Sequence, residues 1–313
     1  MTNLALLGDI GGTNSRFGLI ELGTKDVRDV EVLKNDNFKG LEDAISHYVN
    51  KRGINELAAA AVDVAAPVDR EIITLTNRDW TFSAESLRLA AKAKRFRLLN
   101  DFEALAYSLP HLADTDLVQL GGVKSTNPQV KVVLGPGTGL GMATLAPLPN
   151  GGWMPIPGEL GHVTLPVVTA QELALKDRIV GENKFAEVED VLTGPGMLAL
   201  YRAIALRPHY ENPEDVLQAG LSGADADAAK TLDHFMIFLS RLAGDAAMAL
   251  QARGGVYLAG GIAPSLAERL KAPKYRAIFE DKGRIAGVMK PIPWYIITDK
   301  FPAFKGCAAA LNG

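Results

Sequence analysis

At 313 residues the chain exceeds the size at which one hydrophobic core keeps growing, so two domains are expected. Its 33 basic and 36 acidic residues leave a net charge of −3, which favours neither nucleic acid nor an anionic membrane as partner, and 48% hydrophobic residues suffice to fill a large interior. One cysteine, Cys307, excludes an intramolecular disulfide framework and a multi-cysteine zinc site. The start, MTNLALLGD, lacks the profile of a signal peptide, and no apolar run nears the roughly 20 residues that cross a bilayer. The expected location is the cytoplasm.

The opening reads as three strands, NLALLGD, SRFGLIEL and DVEVLKN, with Thr13-Asn14 and Gly23 as turns. GLEDAISHYVNKRG reads as a helix with Leu41, Ile45, Tyr48 and Val49 on one face and Gly53 as its stop. A buried strand, ELAAAAVDVAAPV, a helix, AESLRLAAKA, and a strand, FRLLN, follow, and the cluster KAKRFR (92–97) reads as a solvated helix end. DFEALAYSLP repeats the helical pattern at Phe102, Leu105, Ala106 and Leu109, and Pro110 ends it. The pattern then restarts. VKVVLGPGTGLGMATLAPL (130–148) is strand, glycine turn, strand, matching LALLGDIGGTNSRFGLIEL in outline as an internal pseudo-repeat. Long helical patterns, including LDHFMIFLSRLAGDAAMALQARG, lead to a strand and turn, VYLAGGIAPS, and the end reads as a strand and a short helix.

Glycine turns admit phosphate because a missing Cβ lets the backbone come close and its N–H groups converge on an anion. GDIGGTN (8–14) alone reads equally as a hairpin; there Asp9 would repel phosphate unless a cation intervenes, and Mg²⁺ bridging carboxylate and phosphates would resolve this. GPGTGLG (135–141) favours the phosphate reading, since four alternating glycines are costly in an ordinary connection, and Thr138 adds a hydroxyl. AGGI (259–262) suits a flat adenine or a plain strand-to-helix turn. A P-loop is absent, and GPGMLA (194–199) follows the helix-like EVEDVLT where a dinucleotide fold needs a strand. It reads as a helix start, with Pro195 in the first turn.

Asn100-Asp101 closes a strand and opens a helix, with Asn100 as cap and Glu103 reaching back. Asp101 then sits in the first turn, where the helix dipole favours its ionised form, and an unperturbed pKa of about 3.9 makes it a weak base. That suffices where proton loss is late, as in loose phosphoryl transfer. PGELGHVTL (157–165) sets Glu159 and His162 on one turn, where they either bond neighbouring hydroxyls or serve structure. HExxH and GxSxG are absent, which argues against metalloprotease and serine hydrolase chemistry.

Taken together, GDIGGTN, LLNDFEALAYSLP, LGPGTGLG, PIPGELGHV, EDVLTGPG and LAGGI, in this order over essentially the whole chain, resemble the bacterial glucokinases of the sugar-kinase, actin and heat-shock-chaperone ATPase superfamily. The resemblance implies an α/β, two-lobed actin-like ATPase (ribonuclease H-like) fold, with mixed sheets flanked by helices and a ligand cleft between lobes that closes on sugar. Residues 1–110 plus 301–313 would form the smaller lobe and 111–300 the larger. It implies ATP-dependent phosphorylation of glucose at the 6-hydroxyl by in-line transfer. Gly8, Asp9, Ile10, Gly11, Gly12, Thr13 and Asn14, with Gly137, Thr138 and Gly139, would hold the phosphates, and Gly260 and Gly261 the adenosine. Asp9 would hold Mg²⁺ through water. Asn100, Asp101, Glu159, His162 and Glu189 would hold glucose, with Asp101 as base, in a homodimer. One departure stands out: the group usually shows Gly-Glu-Gly-Gly-His, and Leu160 takes the third place here. That moves the turn toward related kinases of other hexoses and N-acyl-hexosamines, whose cysteine-rich zinc motif this chain lacks. A sugar-responsive actin-like ATPase without kinase activity is the other alternative.

Overall fold

The computed structural model describes residues 3–75 and 78–312. The chain forms two compact units: Met1–Ala113 with Pro147–Pro157 and Asp299–Gly313, and Asp114–Ala146 with Gly158–Thr298.

The first unit is built on β1 (Leu4–Ile10), β2 (Asn14–Glu21), β3 (Arg28–Lys34), β4 (Leu57–Val64), a small ribbon of β5 (Ile73–Thr74) and β6 (Thr81–Phe82), and β7 (Ala93–Asn100). The main sheet runs β3-β2-β1-β4-β7, antiparallel through β3, β2 and β1 and parallel from β1 through β4 to β7. Its helices are α1 (Leu41–Lys51), α2 (Ala84–Ala90), α3 (Asp101–Ser108) and the C-terminal helix Pro302–Ala310. β1 is central and buried on both faces, hence its nearly continuous apolar run. Leu6 and Ile10 join Tyr48, Val49 and Val62 on one side, while Ala5 and Leu7 join Ala61, Leu99, Phe304 and Cys307 on the other. Side chains alternate along a strand, so Asp9 shares the face of Ala5 and Leu7, toward the C-terminal helix. Each Leu or Ile fully buried this way contributes about 1.5–3 kcal/mol.

The cluster KAKRFR is a strand and not a helix end. α2 stops at Ala90, Lys92 turns the chain with φ +52°, and β7 begins at Ala93, opposite Leu57. Pairing along the whole of β4 outweighs the weak strand preference of the lysines and arginines, and Lys94 and Arg95 stay exposed.

The second unit holds β8 (Leu117–Gly121), β9 (Lys131–Pro136), β10 (Leu140–Pro147), β12 (Gly255–Leu258) and β13 (Trp294–Ile297), in a sheet ordered β11-β10-β9-β12-β13-β8 with β11 (Trp153–Gly158) at its edge. The strand order of the first unit recurs: the first strand is antiparallel to the second and parallel to the fourth, which is parallel to the fifth. The pseudo-repeat seen in two glycine hairpins is thus a repeat of topology. α4 (Ala170–Val180), α5 (Gly194–Ile204), α6 (Pro213–Ser222) and α7 (Ala226–Ala249) cover this unit, with Phe235, Phe238, Leu239 and Leu242 of α7 in its core. α5 starts as expected, with Thr193 capping Gly196 and Pro195 in the first turn. EVEDVLT forms only a one-turn 3-10 segment, Val188–Asp190, not a helix. No helix among the described residues is long and apolar enough to cross a membrane.

Candidate active site

In the first unit the β1–β2 turn is closed by Gly11 N–H to Asn14 O at 3.0 Å. Asn35, fully buried, donates its side-chain amide to Gly11 O (2.8 Å) and Gly12 O (3.1 Å), and its own N–H bonds Thr13 O (2.9 Å). Ser15 Oγ donates to Asn35 Oδ1 at 2.7 Å, which fixes the amide's orientation. Arg78 adds a bond to Gly12 O at 3.3 Å and lies over Trp80. Carbonyls beside an anion repel it, so tying three of them to Asn35 is what an N–H cradle requires. Neither Asn35 nor Arg78 could be linked to the turn from sequence, because both reach it across a tertiary contact.

Asp9 accepts from Arg16 at 3.0 Å. Burial raises its pKa, and the Arg16 charge opposes the rise. Across the sheet Asp9 is in register with Asp63, a buried carboxyl that accepts from Cys307 Sγ at 3.4 Å. Burial, reinforced by the charges of Asp9 and Asp101, pushes the Asp63 carboxyl well above the usual carboxylate range. Cys307 is raised too by burial, and is an inert core thiol.

Asn100 is the cap of α3: Oδ1 accepts from Phe102 N–H (3.0 Å) and Glu103 N–H (3.4 Å), and Glu103 Oε2 accepts from Asn100 N–H. One of its two amide donors goes to Ala66 O at 3.2 Å. Asp101 is the first residue of α3 and accepts from Phe102 N–H at 3.0 Å. Here the dipole argument loses. Burial outweighs the hydrogen bonds that favour the charged form, Asp9 adds repulsion, and the pKa rises to about 6. Asp101 is a stronger base than its position in the first helical turn suggested.

In the second unit the GPGTGLG turn is closed by Gly137 N–H to Gly139 O (2.8 Å) and anchored by Gly194 N–H to Gly137 O (2.8 Å), leaving Thr138 and Gly139 exposed. Glu189 Oε1 accepts from Leu140 N–H at 2.6 Å, so the carboxylate sits directly against this turn. Gly161 explains how Glu159 and His162 reach the same place: a Cβ there would lie 2.7 Å from Glu189 Oε1 and 2.9 Å from Leu140 O. The AGGI turn follows β12, with Ala259 N–H on Leu134 O (2.9 Å) and Gly260 at φ +83°, and it exposes Gly260 and Gly261. Glu159 and His162 are both open to solvent, with Nε2 of His162 4.0 Å from Glu159 Oε2 and Nδ1 3.0 Å from Glu187 Oε2. The Glu187 bond, with Glu189 and Glu159 nearby, raises the His162 pKa. Side-chain ligand atoms of His162, Glu187 and Glu189 lie within 4.8 Å of one another. The Nδ1–Glu187 hydrogen bond already joins two of these three side chains.

The first unit thus gathers GDIGGTN, Asn100 and Asp101, and the second gathers GPGTGLG, AGGI, Glu159, His162 and Glu189. Replacing Glu189 by Ala strands the buried Leu140 N–H and is expected to cost about 1–3 kcal/mol in urea unfolding, whereas Glu189→Gln keeps the acceptor and most of the stability.

These features describe an α/β protein of the actin-like ATPase (ribonuclease H-like) fold with glycine turns in sequence order. The sequence profile of the glucokinase family matches residues 6–313, and the chain belongs to that family. It is 38% identical over 310 residues to a glucokinase of Chromobacterium violaceum, covering 98% of this chain and 88% of the relative. The crystal structure of glucokinase from an Antarctic psychrotroph superposes with a TM-score of 0.90 at 28% identity, covering 100% of this chain and 99% of that one. A Balamuthia mandrillaris glucokinase solved in complex with glucose shares the fold at TM-score 0.82 and 23% identity, over 99% and 94% of the two chains.

Proposed function

We propose that this chain transfers the γ-phosphoryl group of ATP to the 6-hydroxyl of glucose, in the cytoplasm and as a homodimer, with Asp101 as the base. The observation that carries the reading is Asp101 itself: a carboxyl at the start of α3, desolvated to a pKa of about 6, beside a glycine turn whose carbonyls are held back. At neutral pH such a group is ionised, yet basic enough to accept a proton as the oxygen attacks.

The binding roles follow from chemistry. Sugar hydroxyls both donate and accept, and Asn100, Glu159, His162 and Glu189 present both kinds of partner. The turns at 8–14 and 137–139 offer peptide N–H groups to the phosphates, and Gly260-Gly261 leave room for adenosine. Transfer is direct: the hydroxyl oxygen bonds phosphorus as the bond to the ADP oxygen breaks, and the proton passes to Asp101. Positioning and electrostatic stabilisation supply most of the rate.

Asp9 fits a magnesium site held through water. Its carboxylate is held on one side by the Arg16 guanidinium and is partly open to solvent, where a hydrated cation would offset the cost of burying the charge. When bound, Mg²⁺ would neutralise phosphate charge; Asp9 would hold it through water, and Arg16 holds Asp9.

Leu160, the residue that departs from the group's usual turn, packs against the core of its unit. Its side chain therefore serves packing, which favours glucose over an altered sugar. A panel of hexoses and N-acyl-hexosamines in an ADP-coupled assay tests this; turnover confined to N-acyl-hexosamines would overturn it. The Asp101 pKa adds a pH prediction. Below about pH 6 Asp101 is protonated and cannot accept, so kcat should fall about tenfold per unit further down. A flat kcat from pH 7 to pH 5 would remove Asp101 from the role.

A further inference from the structure

Glu187 stands outside the group Glu159, His162 and Glu189, yet its Oε2 lies 3.0 Å from His162 Nδ1, closer than any Glu159 oxygen lies to the ring. Its place is built. The segment 186–188 is zipped to the turn that carries His162 by Leu165 N–H to Ala186 O (2.9 Å), Val188 N–H to Val163 O (3.0 Å) and an antiparallel bridge between Thr164 and Glu187. Asp190 Oδ2 accepts the Glu187 N–H at 2.9 Å, and Ala186 and Val188 on either side are buried. The backbone of Glu187 is therefore fixed, and only its carboxylate faces the imidazole. His162 itself is more than half exposed, so without a tether its ring would turn freely.

We propose that Glu187 is a positioning residue for the sugar: by holding the Nδ1 proton of His162 it fixes the ring and leaves Nε2–H as a hydrogen-bond donor to a hydroxyl. The inference rests on the sugar site proposed above. A carboxylate on Nδ1 stabilises the doubly protonated ring, in which the second nitrogen is also a donor. Glu159 and Glu189, the other carboxylates facing the ring, act in the same sense. The site would then set a ring nitrogen beside the carboxylates of Glu159 and Glu189, a pattern that reads hydroxyls better than acceptors alone. Holding the ring in advance also spares the sugar the cost of ordering it.

The test compares wild type with Glu187→Ala, Glu187→Gln and His162→Ala by glucose and ATP kinetics and by ¹⁵N NMR of the histidine rings at pH 7. Glu187→Ala is expected to raise the glucose KM about tenfold, as loss of a charge-assisted hydrogen bond implies, with kcat within about threefold and the ATP KM unchanged. Glu187→Gln should recover part of the KM while the His162 ring shifts toward its neutral ¹⁵N pattern. A merely structural role would lower Tm and move both KM values without changing the ring signals. If Glu187→Ala keeps the wild-type glucose KM and ring pattern while His162→Ala raises that KM, the positioning role is overturned and the sugar site stands. If His162→Ala leaves the glucose KM unchanged, the sugar site fails, and this inference with it.

Discussion

Asp101→Asn should still bind glucose, turn over about 10²–10⁴ times more slowly, and unfold at a higher temperature than the parent. The first two results follow from exchanging a base for a neutral amide of equal size. The third follows from linkage. Burial lifts the carboxyl to about 6 in the folded state, above the 3.8 of an unperturbed aspartate, so folding favours the protonated form. A raised pKa of this kind gives stability that is complete at low pH and is lost as pH climbs through 6. At neutral pH the folded protein carries that cost, at most about 3 kcal/mol and less because the group is not wholly enclosed. Asparagine removes it. Glucose titration, ADP-coupled turnover and thermal melts on one preparation separate the outcomes. A slow variant that also melts lower would mean that Asp101 serves the fold, and near-normal kcat would mean that it is not the base.

Gly306→Ala should be among the most damaging single-methyl changes in the first unit. A Cβ at this position in the C-terminal helix would stand 1.7 Å from Ala104 O and 2.6 Å from its carbonyl carbon. Both partners are helix backbone, so no side chain can swing aside, and α3 and the C-terminal helix must part. Overpacking of this severity is expected to cost roughly 3 kcal/mol or more. The shift reaches chemistry because α3 begins at Asp101, and a displacement near 1 Å at a reacting group can cost about 10² in rate. Urea unfolding combined with kcat measures both losses. Gly287→Ala is the control: a Cβ there meets open space, so its effect should stay within about 0.5 kcal/mol. Equal behaviour of the two variants would show that α3 and the C-terminal helix can part at little cost.

Much of the fold was legible because local patterns and tertiary demands agree. The apolar run of β1, the capping pair Asn100 and Glu103, and Pro195 at the head of α5 each follow from backbone hydrogen bonding within a few residues. Residues 92–97 misled because β7 is specified by its neighbour β4; a strand that opens on Ala, Lys, Arg, Phe and Arg has little local signal of its own. Glu189 was legible only through resemblance. Its Leu140 N–H partner lies 49 positions away, and no periodicity predicts a contact at that range.

The sequence alone determined the glycine turns, their order and the acid at the head of α3, because turn geometry and helix capping need only adjacent residues. Tertiary structure alone decided the chemistry of those acids. Desolvation and neighbouring charge are properties of packing, so only the folded chain raises Asp63, lifts Asp101 to about 6 and brings Glu187 to His162.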